Sequence, residues 1–168
     1  MLSHDSFGSF YLEQYPRVVL FLLALGASEP EAEDAAQEAM AQAAKAWTRL
    51  SSPAAWVRKA ARHSYIRQAQ KNRKESSALA QAGRAEATDS QSDIDLREEQ
   101  WRVVALMRKL PPEQGAVAAL FYDGLTHEEI ARVLDKTVGT SRSLLRHAKI
   151  RLKEVIQSEG VGTRNAGR

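Results

Sequence analysis

The chain has 168 residues, 43% of them hydrophobic, and a formal net charge of only +3. The absence of cysteine excludes disulfides, thiolate zinc sites and thiol redox sensing together, and suits a reducing cytoplasm. Four histidines (His4, His63, His127 and His147) form no H-x-x-x-H pair, and the longest apolar run, Val18 to Leu25, is far short of a membrane span and has no basic leader before it, so no metal, no cofactor, no membrane insertion and no signal peptide are expected.

Apolar residues recur at helical spacing and alanine is abundant, so the chain reads as all-α: two small helical domains joined by a flexible linker. A first helix is predicted from about Phe7 to Leu25, with Tyr11, Tyr15, Val18, Val19, Leu22 and Leu23 on one face and Gly26 as its stop. Ser28 before Glu29-Pro30-Glu31 supplies a capping hydroxyl, an early proline and acids near the positive dipole end. That second helix runs through an alanine-rich stretch to Trp47 or Arg49. Ser51-Ser52-Pro53 breaks the pattern, and a third helix spans about Pro53 to Lys74, closing a first domain at 1–74. Residues 75–95 hold only Leu79 and Ile94 as larger apolar side chains, too little burial to offset ordering entropy, and are predicted to be the flexible linker.

The second domain, 96–157, opens on a helix with Trp101, Val104 and Met107 inward, ending at Leu110-Pro111-Pro112. The next helix turns Val117, Leu120 and Phe121 inward and stops at Asp123-Gly124. Thr126-His127-Glu128-Glu129 is a capping box, Ile130, Ala131, Val133 and Leu134 form the inner face of a two-turn helix, and Asp135-Lys136-Thr137 makes a turn. Thr137 can cap a last helix from Val138, with Val138, Leu145, Ala148 and Leu152 inward and Thr140, Arg142, Ser143, Arg146 and Lys149 outward. A short capped helix, a tight turn and a longer basic helix make a DNA-binding helix-turn-helix. Residues 158–168 are expected to form a disordered tail.

Charge falls in blocks. Residues 1–57 carry seven acids against three bases, 58–74 carry seven bases and no acid, 75–99 carry seven acids against two bases, and 139–153 carry five bases and no acid. Exposed faces of ordinary helices mix signs, so two acid-free basic islands imply two anion-binding surfaces.

Leu110-Pro111-Pro112-Glu113-Gln114, Gly124-Leu125-Thr126-His127-Glu128-Glu129-Ile130-Ala131 and Val138-Gly139-Thr140 resemble region 4 of extracytoplasmic-function sigma factors, a group within the sigma-70 family. Glu31-Ala32-Glu33-Asp34-Ala35-Ala36-Gln37-Glu38 and Ala55-Trp56-Val57-Arg58-Lys59-Ala60-Ala61-Arg62 resemble their region 2. The resemblance implies three surfaces. Glu33, Asp34, Gln37 and Glu38 would meet the clamp helices of the largest subunit of core RNA polymerase, with the flap of the second-largest subunit as a further contact. Trp47, Arg49, Ser51, Ser52, Trp56, Arg58, Lys59, Arg62, His63, Tyr65 and Arg67 would read the −10 element of promoter DNA. Thr140, Ser141, Arg142, Ser143, Arg146 and Lys149 would read the −35 element. An anti-sigma factor is a further partner the family implies. The acidic linker would by the same analogy thread the polymerase channel, and the localisation would be cytoplasmic. Trp47 and Trp56 can equally be core anchors.

The chain departs from the family at Ser141, where a buried valine is usual, at Leu144 for arginine, at His63 for asparagine and at Ala44 for tryptophan. A one-component regulator using the same helix-turn-helix on a duplex operator is the competing reading, and it leaves the acidic motif at 31–38 unexplained. No Ser-His-Asp set, phosphate loop or paired-carboxylate motif points to an enzyme.

Overall fold

The computed structural model describes residues 4–82 and 95–164, which are helical almost throughout. The chain divides between Asp95 and Leu96 into two compact units.

The first unit holds α1 (His4–Ala24), α2 (Glu29–Ala46), a single 3-10 turn (Trp47–Arg49) and α3 (Pro53–Ala82). At the end of α1, Gly26 takes φ 103° and the Ala27 N–H reaches back to the Leu22 carbonyl, which gives that last-turn carbonyl a partner. Ser28 then caps α2 as its sequence predicts: its hydroxyl accepts from the Glu31 N–H and the Glu31 carboxylate accepts from the Ser28 N–H. Pro16 lies inside α1 on its exposed side, where water can take the bond the ring denies the Leu12 carbonyl.

The buried stripe of α2 is Ala32, Ala35, Ala36, Ala39, Met40 and Ala43, a spacing of three and four made almost entirely of the smallest apolar side chain. Small residues let helix axes approach closely, and α2 packs most extensively on α3. Val18, Val19, Phe21, Leu22 and Leu23 of α1 and Ala55, Val57 and Ala61 of α3 complete this core.

The second unit holds α4 (Glu98–Arg108), α5 (Pro112–Tyr122), α6 (His127–Val133) and α7 (Val138–Arg164). Met107, Leu110, Ala118, Ala148 and Leu152 form one cluster, with Leu106 and Ala119 packed against it. Gly115 lets α5 approach α4: a Cβ there would lie 2.8 Å from the Met107 carbonyl oxygen. Gly124, at φ 92°, ends α5 with a Leu125 N–H to Leu120 carbonyl bond. Asp135 performs the same service for α6 at φ 53°, where Asp is among the few side chains that tolerate the left-handed region. The Lys136 N–H closes that turn on the Ala131 carbonyl.

Two helices outrun their predicted ends. The third was expected to stop near Lys74 and continues to Ala82, and α7 runs to Arg164 through much of the expected tail. Both extensions are exposed wherever their side chains are described, so core burial does not hold them. The α3 extension holds Glu, Leu, Gln and three alanines, strong helix formers whose local propensity carries the helix past the last packed turn, whereas the α7 extension contains Gly160 and Gly162 and is tied instead by an ion pair between Glu159 and Lys109. Most of the expected linker (83–94, with Glu86, Asp89 and Asp93) and the last residues, 165–168, lie outside the described residues.

Candidate nucleic-acid interface

The basic island on α3 is not one surface. Arg58 is 1% exposed, and its Nη1 donates to the Gln14 side-chain oxygen and to the Ala54 carbonyl, each at 2.9 Å. It holds α3 to α1 and cannot reach a nucleotide, which corrects its assignment to the −10 reader. Arg67 pairs with Glu38 of α2 at 3.1 Å and so is drawn toward the protein's own acid. Lys59, Arg62, His63 and Tyr65 stay half-exposed, and the spacing of 59, 62 and 63 puts those three on one face.

Of the two tryptophans, Trp47 is the core anchor. It is 4% exposed, packs edge-on against Phe7 at 5.2 Å and against Phe10 at 4.9 Å between centroids, and donates from Nε1 to the Ser6 hydroxyl. A base cannot stack on it, so its place in the −10 reader is withdrawn. Trp56 keeps part of its ring accessible at the start of α3, just after the short segment in which Arg49 and Ser51 are exposed and Ser52 is half-exposed.

Glu38 also changes role. One carboxylate accepts from the Ser64 hydroxyl at 2.5 Å, from Arg67 at 3.1 Å, and from Gln42 and Gln68 at 3.2 Å each. Three of those donors lie on α3, so Glu38 ties α2 to α3 and has little capacity left for another protein. Asp34 and Gln37 are exposed and Glu33 half-exposed. Gln37 donates to the Tyr15 hydroxyl at 3.5 Å, which brings α1 to the edge of this acidic surface. Burial pushes the Tyr15 phenol above its ordinary value of 10.0, the Gln37 bond opposes this, and Tyr11, Glu33 and Asp34 add to the rise. Tyr11 and Tyr15 stack at 5.2 Å and 12°. Sequence reasoning put both rings on one face with Val18, Val19, Leu22 and Leu23. Their i, i+4 spacing was the visible signal, and the pairing with Gln37 was not.

The helix-turn-helix matches its prediction closely. In the capping box of α6, the Thr126 hydroxyl accepts from the Glu129 N–H and the Glu129 carboxylate accepts from the Thr126 N–H. Thr137 caps α7, its Oγ1 accepting from the Thr140 N–H and donating to the Thr140 hydroxyl. Ile130, Ala131, Val133, Leu134, Leu145, Ala148 and Leu152 are buried. Arg142, Ser143 and Arg146 are exposed near the start of α7, as is Thr140.

One assignment on α7 is corrected. Ser141 is fully buried with its hydroxyl unpartnered, so it packs beneath the helix and reads no base. Lys149 is exposed and places its ammonium 4.5 Å above the Phe121 ring, on the flank of α7 toward α5. His147, left out of the reading set, is exposed and lies one turn after Ser143, on the same face. The signal was the i, i+4 relation itself.

On the flank that carries Lys149, a groove of about 550 Å³ is lined by Val103, Leu106, Met107, Tyr122, Leu152 and Ile156. Val103, Tyr122 and Ile156 are each more than half exposed, which is unusual for such side chains on a solvated face.

A helical unit with a partly basic long helix and a second unit built on a helix-turn-helix define a two-module DNA-binding protein. The family model for Sigma-70 region 2 matches residues 10–75, and that for Sigma-70, region 4 matches residues 100–152. Among solved structures, the sigma factor RpoE of Bartonella quintana, in complex with the anti-sigma factor NepR, superposes with a TM-score of 0.70 at 20% identity, covering 91% of this chain and 98% of that one. CnrH, in complex with the cytosolic domain of CnrY, gives a TM-score of 0.62 at 16% identity, covering 93% and 90%. These likenesses concern the fold. No curated protein matches by sequence.

The chain belongs to the sigma-70 family of transcription initiation factors, with that family's regions 2 and 4. Its task is to bind core RNA polymerase and direct it to promoters. Nothing favours the duplex-operator regulator, and the region 2 match accounts for the acidic motif that reading left unexplained. Among the described residues, no helix is long and apolar enough to cross a membrane.

Proposed function

We propose that the two units divide promoter recognition between a strand-capturing face on α3 and a base-reading face on α7. Lys59, Arg62 and His63, with Trp56 and the Arg49–Ser52 segment beside them, hold the unpaired −10 strand. Aromatic and guanidinium planes stack on bases at about 1–3 kcal/mol each, and the cations follow the backbone. Flipping one or two bases costs a few kcal/mol. Capture therefore offsets melting without nucleotide hydrolysis.

Arg142, Ser143, Arg146 and His147 meet the −35 element in the major groove, where an arginine fork can pair with guanine. Asp34 and Gln37 dock on the clamp helices of the largest polymerase subunit. The apolar groove on the second unit receives the flap of the second-largest subunit, a contact its exposed valine, tyrosine and isoleucine suit. RpoE was solved with an anti-sigma factor and CnrH with the cytosolic domain of CnrY, and an anti-sigma partner of this chain would compete for these same surfaces.

The observation that carries this reading is a solvent-accessible cationic face on each unit, with Lys59 and Arg62 half-exposed on α3 and Arg142 and Arg146 exposed on α7. Purified chain with core polymerase on a promoter library tests it. Selective initiation at promoters sharing −35 and −10 elements is expected. Stable monomeric binding to duplex operators, with no RNA synthesis on any template, would overturn it.

A further inference from the structure

Among the exposed large apolar side chains of the second unit, Val103, Tyr122 and Ile156 line the groove, and Ile150, 55% exposed, does not. Ile150 follows Ser143 by seven residues, Arg146 by four and His147 by three, and in an α-helix those intervals put all four on one side of α7. The buried Ser141, Leu145, Ala148 and Leu152 mark the opposite side. Arg146 one turn before and Lys153 one turn after are exposed, so cations bracket Ile150. The first acid on this face is the exposed Glu154, one turn past Ile150, and the stretch that can lie against phosphate ends there. Residues 96–168 as a whole carry 13 bases against nine acids, so the surrounding field keeps the sign of the face. An apolar side chain set among cations suits a nucleic-acid groove, where phosphates flank the base edges.

Gly139 lies on the same side, four residues before Ser143. A Cβ there would meet nothing within 4 Å and its φ is not positive, so neither packing nor backbone conformation asks for glycine. A missing side chain at the exposed start of α7 does allow close approach of the backbone to a ligand.

We propose that Ile150 reads a thymine of the −35 element by packing on its 5-methyl group, the apolar mark of that base in the major groove. Gly139 lets the start of α7 sit deep enough for the third turn to stay over the bases. From Arg142 to Ile150 the helix rises about 12 Å, close to the width of the major groove. From Ser143 the rise is about 10 Å, or roughly three base pairs, which sets the distance between the thymine and the base that Ser143 faces. The contact rests on the base-reading role given above to α7, and it adds an apolar reader to a set otherwise made of hydrogen-bonding groups.

The test is competition binding of holoenzyme to duplexes selected from the promoter library, with each −35 thymine on either strand replaced in turn by deoxyuridine. That exchange removes the 5-methyl group alone. At one thymine the parent should lose about fourfold in affinity, the worth of one buried methyl group. Ile150→Ala should bind the unmodified duplex at least about fourfold more weakly, ignore the exchange at that thymine, and melt like the parent because the side chain is exposed. A parent indifferent to deoxyuridine at every position, or an Ile150→Ala variant that keeps the parental response, would overturn the proposal. Parental affinity for both Arg142→Ala and Arg146→Ala overturns the base-reading role of α7 as well. Weakening by Arg142→Ala with Ile150→Ala silent leaves that role standing and sinks only the thymine contact.

Discussion

The α3 and α7 helices look alike as sequence, each with a run of basic residues free of acid, and they differ in what surrounds them. In the first unit α3 lies against both α1 and α2, so its basic residues meet protein on two sides: Arg58 is buried against Gln14, and Arg67 is held by Glu38. Lys59 and Arg62, with His63, are half-exposed, and Lys71, Arg73 and Lys74 further along the helix are exposed. In the second unit α7 leaves its first turns open, and Arg142 and Arg146 are exposed. Only Lys149 folds back, onto Phe121. A charge run therefore counts as a nucleic-acid surface only after the cations that serve the fold have been subtracted.

The largest effect that can sharpen this contrast is at Arg58. Arg58→Ala leaves a cavity and strips partners from Gln14, and should lower the unfolding free energy by about 3 kcal/mol or more in denaturant titration. Arg142→Ala should shift the same titration by no more than about 0.5 kcal/mol, because its side chain is exposed. If the two arginines cost the same, the division between structural and functional cations is broken. Glu38→Ala comes next: it takes the acceptor from the buried Ser64 hydroxyl, which keeps only the Gln68 donor, and frees Arg67, at a cost of about 2 kcal/mol in stability. A variant that melted like the parent while losing core polymerase would return Glu38 to the docking surface.

On the α7 side, Arg142→Ala or Arg146→Ala should cost about 1–3 kcal/mol of binding at the matched −35 sequence and relax specificity there, measured by competition between cognate and scrambled promoters. The smallest effect carries the opposite sign. Ser141→Ala removes an unpartnered buried hydroxyl and should raise stability by about 1 kcal/mol, leaving −35 preference unchanged. A change in promoter preference would put Ser141 back among the reading residues.

How far the sequence speaks follows from the same physics. Local signals were legible: the Ser28–Glu31 and Thr126–Glu129 boxes, the Gly26 and Gly124 stops, and the inner faces of α6 and α7 all depend on residues within one or two turns. Periodicity tells which residues share a face. It does not tell how many faces a neighbour covers, and on that turn the misplacements of Arg58 and Trp47. The partner that buries Trp47 is the Phe7–Phe10 pair at the start of α1, a pairing that no local pattern marks. Glu38 and Lys149 have long side chains that can lie along the protein or reach outward, and only the donors and ring beside them decide which.

The division of labour is tested most directly by open-complex formation on a duplex promoter and on the same promoter premelted at −10, with holoenzymes carrying Arg62→Ala or Arg142→Ala. Premelting removes the cost that strand capture must offset and leaves the −35 duplex intact. The Arg62→Ala defect should shrink sharply on the premelted template while the Arg142→Ala defect persists. Equal rescue of both, or rescue of Arg142→Ala alone, would contradict the account.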